Sequence, residues 1–330
     1  ARIGEDALTA VSLVYPLQTL VVSISVGFGV GINAAVAFFL GAGEKENADR
    51  SAAQGLLLSL LHGALLSVGG FLCIPYFLPL FTSDARILDW GMEYAYIVLS
   101  FSMVITVQIA FEKIYQAVGN MLVPMVCMAA GCITNIILDP VFIFGLGPIP
   151  RLEVKGAAIA TVIGQVVTLI LYLIWYFCKD MGLSLGRRNM KLTGEICGKL
   201  YTVGVPCSLT MGLPSLLITV LNGFAAAFSP VYILILGVYF KLQSFIYLPA
   251  NGIVQGMRPI LSYNYGAGEK KRMRRIIQIC SVMILVIMAA GMLLFLLAPG
   301  IIMKLFTADV VTVREGSAAL RIISLGFVVS

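Results

Sequence analysis

Apolar residues fill this chain in long runs, which Gly, Pro and clusters of charged residues interrupt at intervals. A helix that crosses the hydrocarbon core of a membrane needs about 20 such residues. Nine runs reach or approach this length, and the pattern predicts an all-α integral membrane protein. Their bounds are about 12–40, 52–81, 90–111, 121–146, 156–177, 201–228, 231–264, 277–305 and 315–330.

The polar residues between the runs predict an orientation, because Lys and Arg in short loops are retained on the cytoplasmic side. Alternate connections hold 13 of these cations, Lys113 among them, and the opposite connections hold five. The bias predicts that the turns Gly41–Arg50 and Gly266–Arg275 are cytoplasmic. Cys178–Leu200 is the one long connection and is predicted to lie on the same side.

The chain also repeats itself at an offset of 225 residues. The turn Gly41–Lys45 (GAGEK) matches Gly266–Lys270, and Leu80–Thr82 matches Leu305–Thr307 at the same offset. A polar turn and a distant Phe-Thr seldom align by chance in apolar sequences. Because the offset spans six segments, an even number, both copies are expected to face the same way across the membrane.

A parallel repeat of this size predicts two pseudo-symmetric six-helix bundles, with 12 helices in the complete protein and about nine of them here. Residues 1–177 would form an N-lobe with helices 2–6. Residues 178–200 would be a cytoplasmic linker, and residues 201–330 a C-lobe with helices 7–10.

Composition narrows the possible functions. Charged residues make up 12% of the chain, about half the share in a soluble protein, and 60% of the residues are hydrophobic. The net charge of +6 is explained by loop cations, so nucleic acid is not an expected partner. One histidine, His62, and seven cysteines without CxxC spacing favour neither a metal centre nor a cofactor. A membrane enzyme, which would need clustered His, Asp or Glu, is a remote alternative.

Asp139 is the candidate site residue that the sequence supports best. It lies about 10 Å inside its predicted helix, where an ionised carboxylate is costly without a partner. Asn135, four residues earlier, shares its helix face and offers an amide oxygen. Pro140 lacks an N–H and leaves the carbonyl of Ile136 free. These oxygens suit Na⁺ or a proton on Asp139. The alternative is a structural hydrogen bond beside a proline kink.

Five stretches in order resemble the multidrug and toxic compound extrusion (MATE) family of bacterial plasma membranes. They are Ala7–Pro16, Gly27–Gly43, Asn135–Gly145, Gly156–Gln165 and Pro249–Glu269. The resemblance implies a multi-pass, two-lobed antiporter that exports cationic or amphipathic organic compounds in exchange for H⁺ or Na⁺. It implies no cofactor, and a monomer in the plasma membrane is expected.

The resemblance also bears on the coupling site. The spacing of Asn135 and Asp139 is similar to the N-lobe cation site of part of the family, in which a threonine on the next helix takes part; Thr161 matches it. The family's alternative uses acidic residues on the seventh and tenth helices. The run Tyr201–Phe228 contains none, nor does the visible part of the tenth helix after Glu315, which favours coupling in the N-lobe.

Polar residues in other runs are candidates for a substrate cleft between the lobes. The interpretation competes with ordinary hydrogen bonding between helices, and Lys241 could instead reach the outer surface. A lipid-linked precursor flippase of the same broad superfamily is the alternative function, and it would need a more cationic cleft. The cleft candidates are Gln18, Asn33, Lys241, Gln243 and Gln255.

Overall fold

The computed structural model describes residues 5–146, 150–228, 230–304, 310–324 and 326, and within them all regular structure is helical. Two 3-10 helices lie at Leu78–Leu80 and Arg187–Met190. The α-helices are α1 (Glu5–Gly41), α2 (Lys45–Phe77), α3 (Ala85–Ser100), α4 (Ser102–Ala117), α5 (Leu122–Phe144), α6 (Glu153–Cys178), α7 (Gly194–Phe228), α8 (Pro230–Gly266), α9 (Lys270–Leu297), α10 (Pro299–Lys304) and α11 (Val310–Ser324). The all-α membrane fold predicted from the sequence is confirmed.

The third apolar run, predicted as one helix, is a bent pair. Helices α3 and α4 meet at Phe101 at an angle of 44°. Hydroxyl groups satisfy the carbonyls near the break: Ser102 donates to Leu99 O at 2.7 Å and Ser67 donates to Ser100 O at 3.1 Å. Helices α1, α2, α5, α6 and α9 are each long and apolar enough to cross a membrane, and the α3–α4 pair qualifies as one further span.

The chain divides into two compact units, Ala1–Gly212 and Leu213–Ser330. In the first unit, α1, α2, α4 and α6 enclose a core that includes Phe39, Ile114 and Tyr172. In the second unit, α8 to α11 contribute a smaller core that includes Phe295 and Met303. The predicted lobe boundary at residues 178–200 stays a prediction.

The last part of the predicted linker is helical, because α7 begins at Gly194. Gln54 of α2, fully buried, holds the segment before α7 by donating to Lys191 O at 2.8 Å and accepting from Thr193 N at 3.2 Å. Tyr201 of α7 shares a 2.8 Å hydrogen bond with His62 Nε2. The first half of α7 is thereby fixed to the first unit.

The GAGEK turns have the same backbone structure. Glu44 N donates to Phe39 O at 2.9 Å, and Glu269 N donates to Asn264 O at 2.9 Å, so donor and acceptor both shift by the repeat offset. Gly43 and Gly268 have φ values of 77° and 72°, a left-handed conformation that glycine adopts at little cost. Local structure therefore repeats with the sequence. The other matching stretch, Leu305–Thr307, lies outside the described residues, and the common orientation of the copies stays a prediction.

Candidate cation site and polar interior of the first unit

Helix α5 brings the two main candidate residues together. Asn135 Nδ2 donates to Asp139 Oδ1 at 3.3 Å, across one helical turn. Pro140 lies inside α5 and donates no backbone hydrogen bond, so the carbonyl of Ile136 is free on the same turn. A carboxylate and further oxygens are therefore concentrated at one level of the helix.

Close packing with α6 positions this face of α5. A Cβ atom added at Gly131 would lie 2.7 Å from Gly164 O, and one at Gly164 would lie 2.8 Å from Gly131 O and 3.2 Å from Asn135 Cβ. Any side chain at either position would force the backbones apart. Small residues permit such approach between membrane helices. The paired glycines therefore hold Asn135 directly against α6.

Thr161 of α6 and Asn135 line the same cavity of about 380 Å³. The Thr161 hydroxyl donates to Ala157 O at 2.9 Å, which leaves its oxygen lone pairs able to accept. Gln108 and Gln165 also line the cavity, and their side-chain carbonyl oxygens are buried with no hydrogen-bond partner among the described residues. No sequence spacing connects these two glutamines, which lie on α4 and α6, with Asn135.

A tyrosine that sequence reasoning missed connects α1 to α3. Gln18 Nε2 donates to the hydroxyl of Tyr94, a residue of α3 that is 6% exposed, at 3.4 Å. Gln18, predicted in the substrate cleft, is therefore bonded to α3 within the first unit, and its place in a cleft stays a prediction. Gln18 and Tyr94 are 76 positions apart, so no sequence spacing signals this hydrogen bond.

A second polar cluster, also missed, lies in α4. Lys113 was assigned to a cytoplasmic loop, but it is 3% exposed inside α4, where its Nζ contacts Glu112 Oε1 at 2.8 Å and Gln116 Oε1 at 3.1 Å. Gln116 Nε2 completes the cluster by donating to Glu112 Oε1 at 2.9 Å. When Lys113 is left out, the connections predicted to be cytoplasmic hold 12 cations and the opposite connections hold five, so the predicted orientation does not change. Asn33, predicted in the cleft, is 3% exposed and donates to Lys113 O at 3.1 Å.

The other cleft candidates lie on α8 in the second unit. Lys241 and Gln255 are exposed and Gln243 is partly buried. Their place in a substrate pathway stays a prediction. Among the residues that the structure describes, no group of three or more His, Cys, Asp or Glu side chains could hold a metal ion.

The comparison with known families decides the kind of protein. The MatE family model matches residues 1–141 and 206–330, which together make up most of the chain. The chain belongs to the MATE family. The resemblance inferred from the five motifs is confirmed, and MATE proteins are transporters.

Curated relatives carry transporter names. The multidrug export protein MepA of Staphylococcus haemolyticus is 27% identical over 302 residues, which cover 92% of this chain and 66% of that protein. The FAD transporter of Shewanella oneidensis is 26% identical, over 83% of this chain and 61% of that protein. The chain therefore spans about two thirds of the length of these MATE relatives or less.

Solved MATE structures agree with the fold. A MOP superfamily transporter from Pyrococcus furiosus, whose binding pocket is described as reversed in polarity, matches with a TM-score of 0.90 and 25% identity. The match covers 99% of this chain and 73% of that one. An outward-facing multidrug resistance MATE transporter matches with the same score and identity, over 99% of this chain and 72% of that one.

Proposed function

We propose that this chain is part of a secondary active exporter of the plasma membrane, which exchanges cationic or amphipathic organic compounds for H⁺ or Na⁺ by alternating access. The observation that carries the proposal is the hydrogen-bonded pair of Asn135 and Asp139 inside a membrane-spanning helix, beside a cavity. Membership of a transporter family and the multidrug export relatives support it.

Asp139 is the proposed coupling residue because of its surroundings. A carboxylate in a membrane span is expensive unless a proton or a cation neutralises it. Asn135 and the free carbonyl of Ile136 supply neutral oxygens on the same turn, and Thr161 faces the same cavity as Asn135. Release of the bound H⁺ or Na⁺ leaves a net negative charge on this turn. If only one conformation of the transporter tolerates the charged carboxylate, binding and release of the ion are coupled to the positions of the lobes.

The cavity beside the pair fits a role in substrate binding. Its volume of about 380 Å³ is within the usual range for small-molecule sites. The unpaired oxygens of Gln108 and Gln165 can accept hydrogen bonds from a substrate that carries N–H groups, such as a protonated amine. Met128 and Ile136 add apolar wall for an aromatic or aliphatic body. Asn135 touches both the cavity and Asp139, so substrate and coupling ion would compete for its orientation.

The substitution Asp139→Asn tests this proposal, since it keeps the shape and removes the titratable charge. In proteoliposomes with an imposed proton or sodium gradient, we expect substrate export by the variant to fall to the rate seen without a gradient. Binding of the substrate in the absence of a gradient should persist. Asp89→Asn is the matched control, because Asp89 is an exposed carboxylate on α3 outside the site. Gradient-driven export by Asp139→Asn at the wild-type rate would refute the assignment.

A second candidate substrate is a flavin nucleotide, because the Shewanella relative is named an FAD transporter. A pyrophosphate-bearing substrate, like the lipid-linked precursor of a flippase, needs cations in its path. Lys241, exposed on α8, is a candidate. Export of FAD from loaded proteoliposomes that is lost in Lys241→Gln, together with an absence of organic-cation export, would favour this alternative.

A further inference from the structure

Five exposed cations crowd the first turns of α9: Lys270, Lys271, Arg272, Arg274 and Arg275. We call them the cationic patch. No Asp or Glu interrupts the stretch 270–275. Within the described part of the chain, no carboxylate forms a salt bridge with any of the five. Among the described residues, the patch is therefore a concentrated positive charge without a salt-bridge partner.

Cations in the first turns of α9 are electrostatically unfavourable. The beginning of a helix is its positive end, so cations there oppose the helix dipole. Lys270 and Arg274 are four residues apart, as are Lys271 and Arg275, and like charges at that spacing repel on a helix surface. A sequence that breaks local rules without local compensation indicates a function or a partner.

The first copy of the repeat shows that the turn does not need these charges. Positions 45–50 carry two cations and two carboxylates. Glu46 pairs with Arg50 at 2.6 Å, and the Asp49 carboxylate accepts from Ser184 N at 2.9 Å. Four backbone hydrogen bonds of the first turn nevertheless recur in the second at the repeat offset, and the second turn adds one from Lys270 N to Gly268 O. Charge, and not backbone geometry, is what distinguishes the second copy.

The surroundings of the patch indicate which partner would supply the counter-charge. Immediately after Arg275, α9 presents apolar side chains outward: Ile277, Ile279 and Val282 are 44%, 51% and 59% exposed. Because α9 is long and apolar enough to cross a membrane, side chains exposed on it would meet lipid there. The cations lie directly before these apolar positions, where the span would reach the lipid headgroups. Lys270, Lys271, Arg274 and Arg275 also line a cavity of about 410 Å³ together with Gln278.

We propose that the cationic patch binds the phosphate headgroups of anionic phospholipids in the leaflet at this end of α9, which the loop charges predict to be cytoplasmic. Basic clusters directly beside a membrane helix attract anionic lipids. The orientation of the protein in the membrane requires an excess of cations on this side. It does not explain why five cations occur within six positions without an acidic residue among them. The proposal is independent of the transport function and stands or falls separately from Asp139.

The test compares two double substitutions in the detergent-solubilised full-length protein. Lys271→Gln with Arg274→Gln removes two charges from the patch. Arg187→Gln with Arg188→Gln removes the same charge from exposed positions in the connection before α7, and is the matched control. Binding is measured by fluorescence anisotropy with phosphatidylglycerol that carries a fluorophore on one acyl chain. Phosphatidylcholine with the same label is the neutral comparison.

We expect wild type to bind phosphatidylglycerol more tightly than phosphatidylcholine. Each surface cation contributes about a fivefold gain in affinity for anionic lipid, so the patch variant should bind phosphatidylglycerol about 25-fold more weakly. The control should keep wild-type affinity, and added NaCl should weaken wild-type binding. Unchanged melting in the absence of lipid would show that the patch variant is folded.

Three results would overturn the proposal. One is equal affinity of wild type for the two lipids. Another is equal loss of binding in the patch variant and the control, which would indicate a general effect of net charge. The third is displacement of phosphatidylglycerol by low concentrations of inorganic pyrophosphate, which would make the patch a site for soluble anions. If the patch variant does not fold, Arg272→Gln alone must still weaken phosphatidylglycerol binding, by about fivefold.

Discussion

Replacement of Lys113 by Met should destabilise the first unit severely. Lys113 and Glu112 form a buried ion pair, with side-chain exposures of 4% and 10%. Methionine fills a similar volume but removes the charge and the donor to Gln116. Glu112 would then be a buried carboxylate whose remaining contact in the cluster is the 2.9 Å hydrogen bond from Gln116 Nε2.

The burial of the pair sets the expected magnitude. Removal of one partner from a buried pair costs about 3–5 kcal/mol, because the remaining charge stays desolvated. For a unit of about 200 residues this corresponds to a fall in Tm of about 6 to 20 °C. The double variant Glu112→Gln, Lys113→Met leaves no buried charge, and a Gln side chain can still donate to and accept from Gln116. It should therefore recover most of the lost stability.

Thermal unfolding of the detergent-solubilised protein measures these differences. Arg50→Met is the matched control, since Arg50 pairs with Glu46 at 2.6 Å while their side chains are 41% and 70% exposed. An exposed pair of this kind contributes about 0.3–0.5 kcal/mol. The reasoning fails if Lys113→Met melts no lower than Arg50→Met. It also fails if the double variant is as unstable as the single one.

Two further expectations follow from the turns and from the connection before α7. Gly43→Ala and Gly268→Ala should each destabilise by about 1 kcal/mol, measured by thermal unfolding, because both glycines have positive φ and open space around them; effects that differ severalfold would contradict equivalent turns. Gln54→Leu should speed tryptic cleavage at Arg187, because it removes the hydrogen bonds to Lys191 and Thr193; unchanged cleavage would show that other contacts hold the connection.

Length and hydropathy predicted nearly all of the helical organisation, because a membrane span must satisfy its backbone hydrogen bonds internally and be apolar over a fixed length. The same reasoning failed at Ala298, where the eighth run divides into α9 and α10, and at Phe101. At Phe101 the hydroxyl groups of Ser102 and Ser67 replace the backbone hydrogen bonds that the break removes. A hydropathy profile does not detect such a change of hydrogen-bond donor. Hydropathy also placed the start of α7 too late, at Tyr201 instead of Gly194, because polar residues before Leu200 lower the mean hydropathy there.

Residue spacing alone predicted the candidate site only where its residues share one helix; Thr161 of α6, which lines the same cavity as Asn135, came from the family resemblance. Asn135 and Asp139 are four positions apart, so helix periodicity places them together. Gln108 and Gln165 lie on α4 and α6 and reach the same cavity as Asn135 through helix packing, which no sequence spacing encodes. Lys113 was misplaced for a related reason. Its cation resembled a loop residue, and the compensating Glu112 was not considered as its partner.

The two copies of the repeat share backbone geometry but differ in what their helices contact. Gln54 is fully buried and bonded to the connection before α7, whereas its counterpart Ile279 is 51% exposed beside the cationic patch. Gly31 packs so tightly on α7 that an added Cβ would meet the carbonyl of Leu200, while Gly256 has no described atom within 4 Å of that position. Among the described residues, the same glycine therefore serves helix packing in the first copy only. The repeat thus fixes the backbone of each turn, while the contacts of the flanking helices depend on which other segments of the protein pack against them.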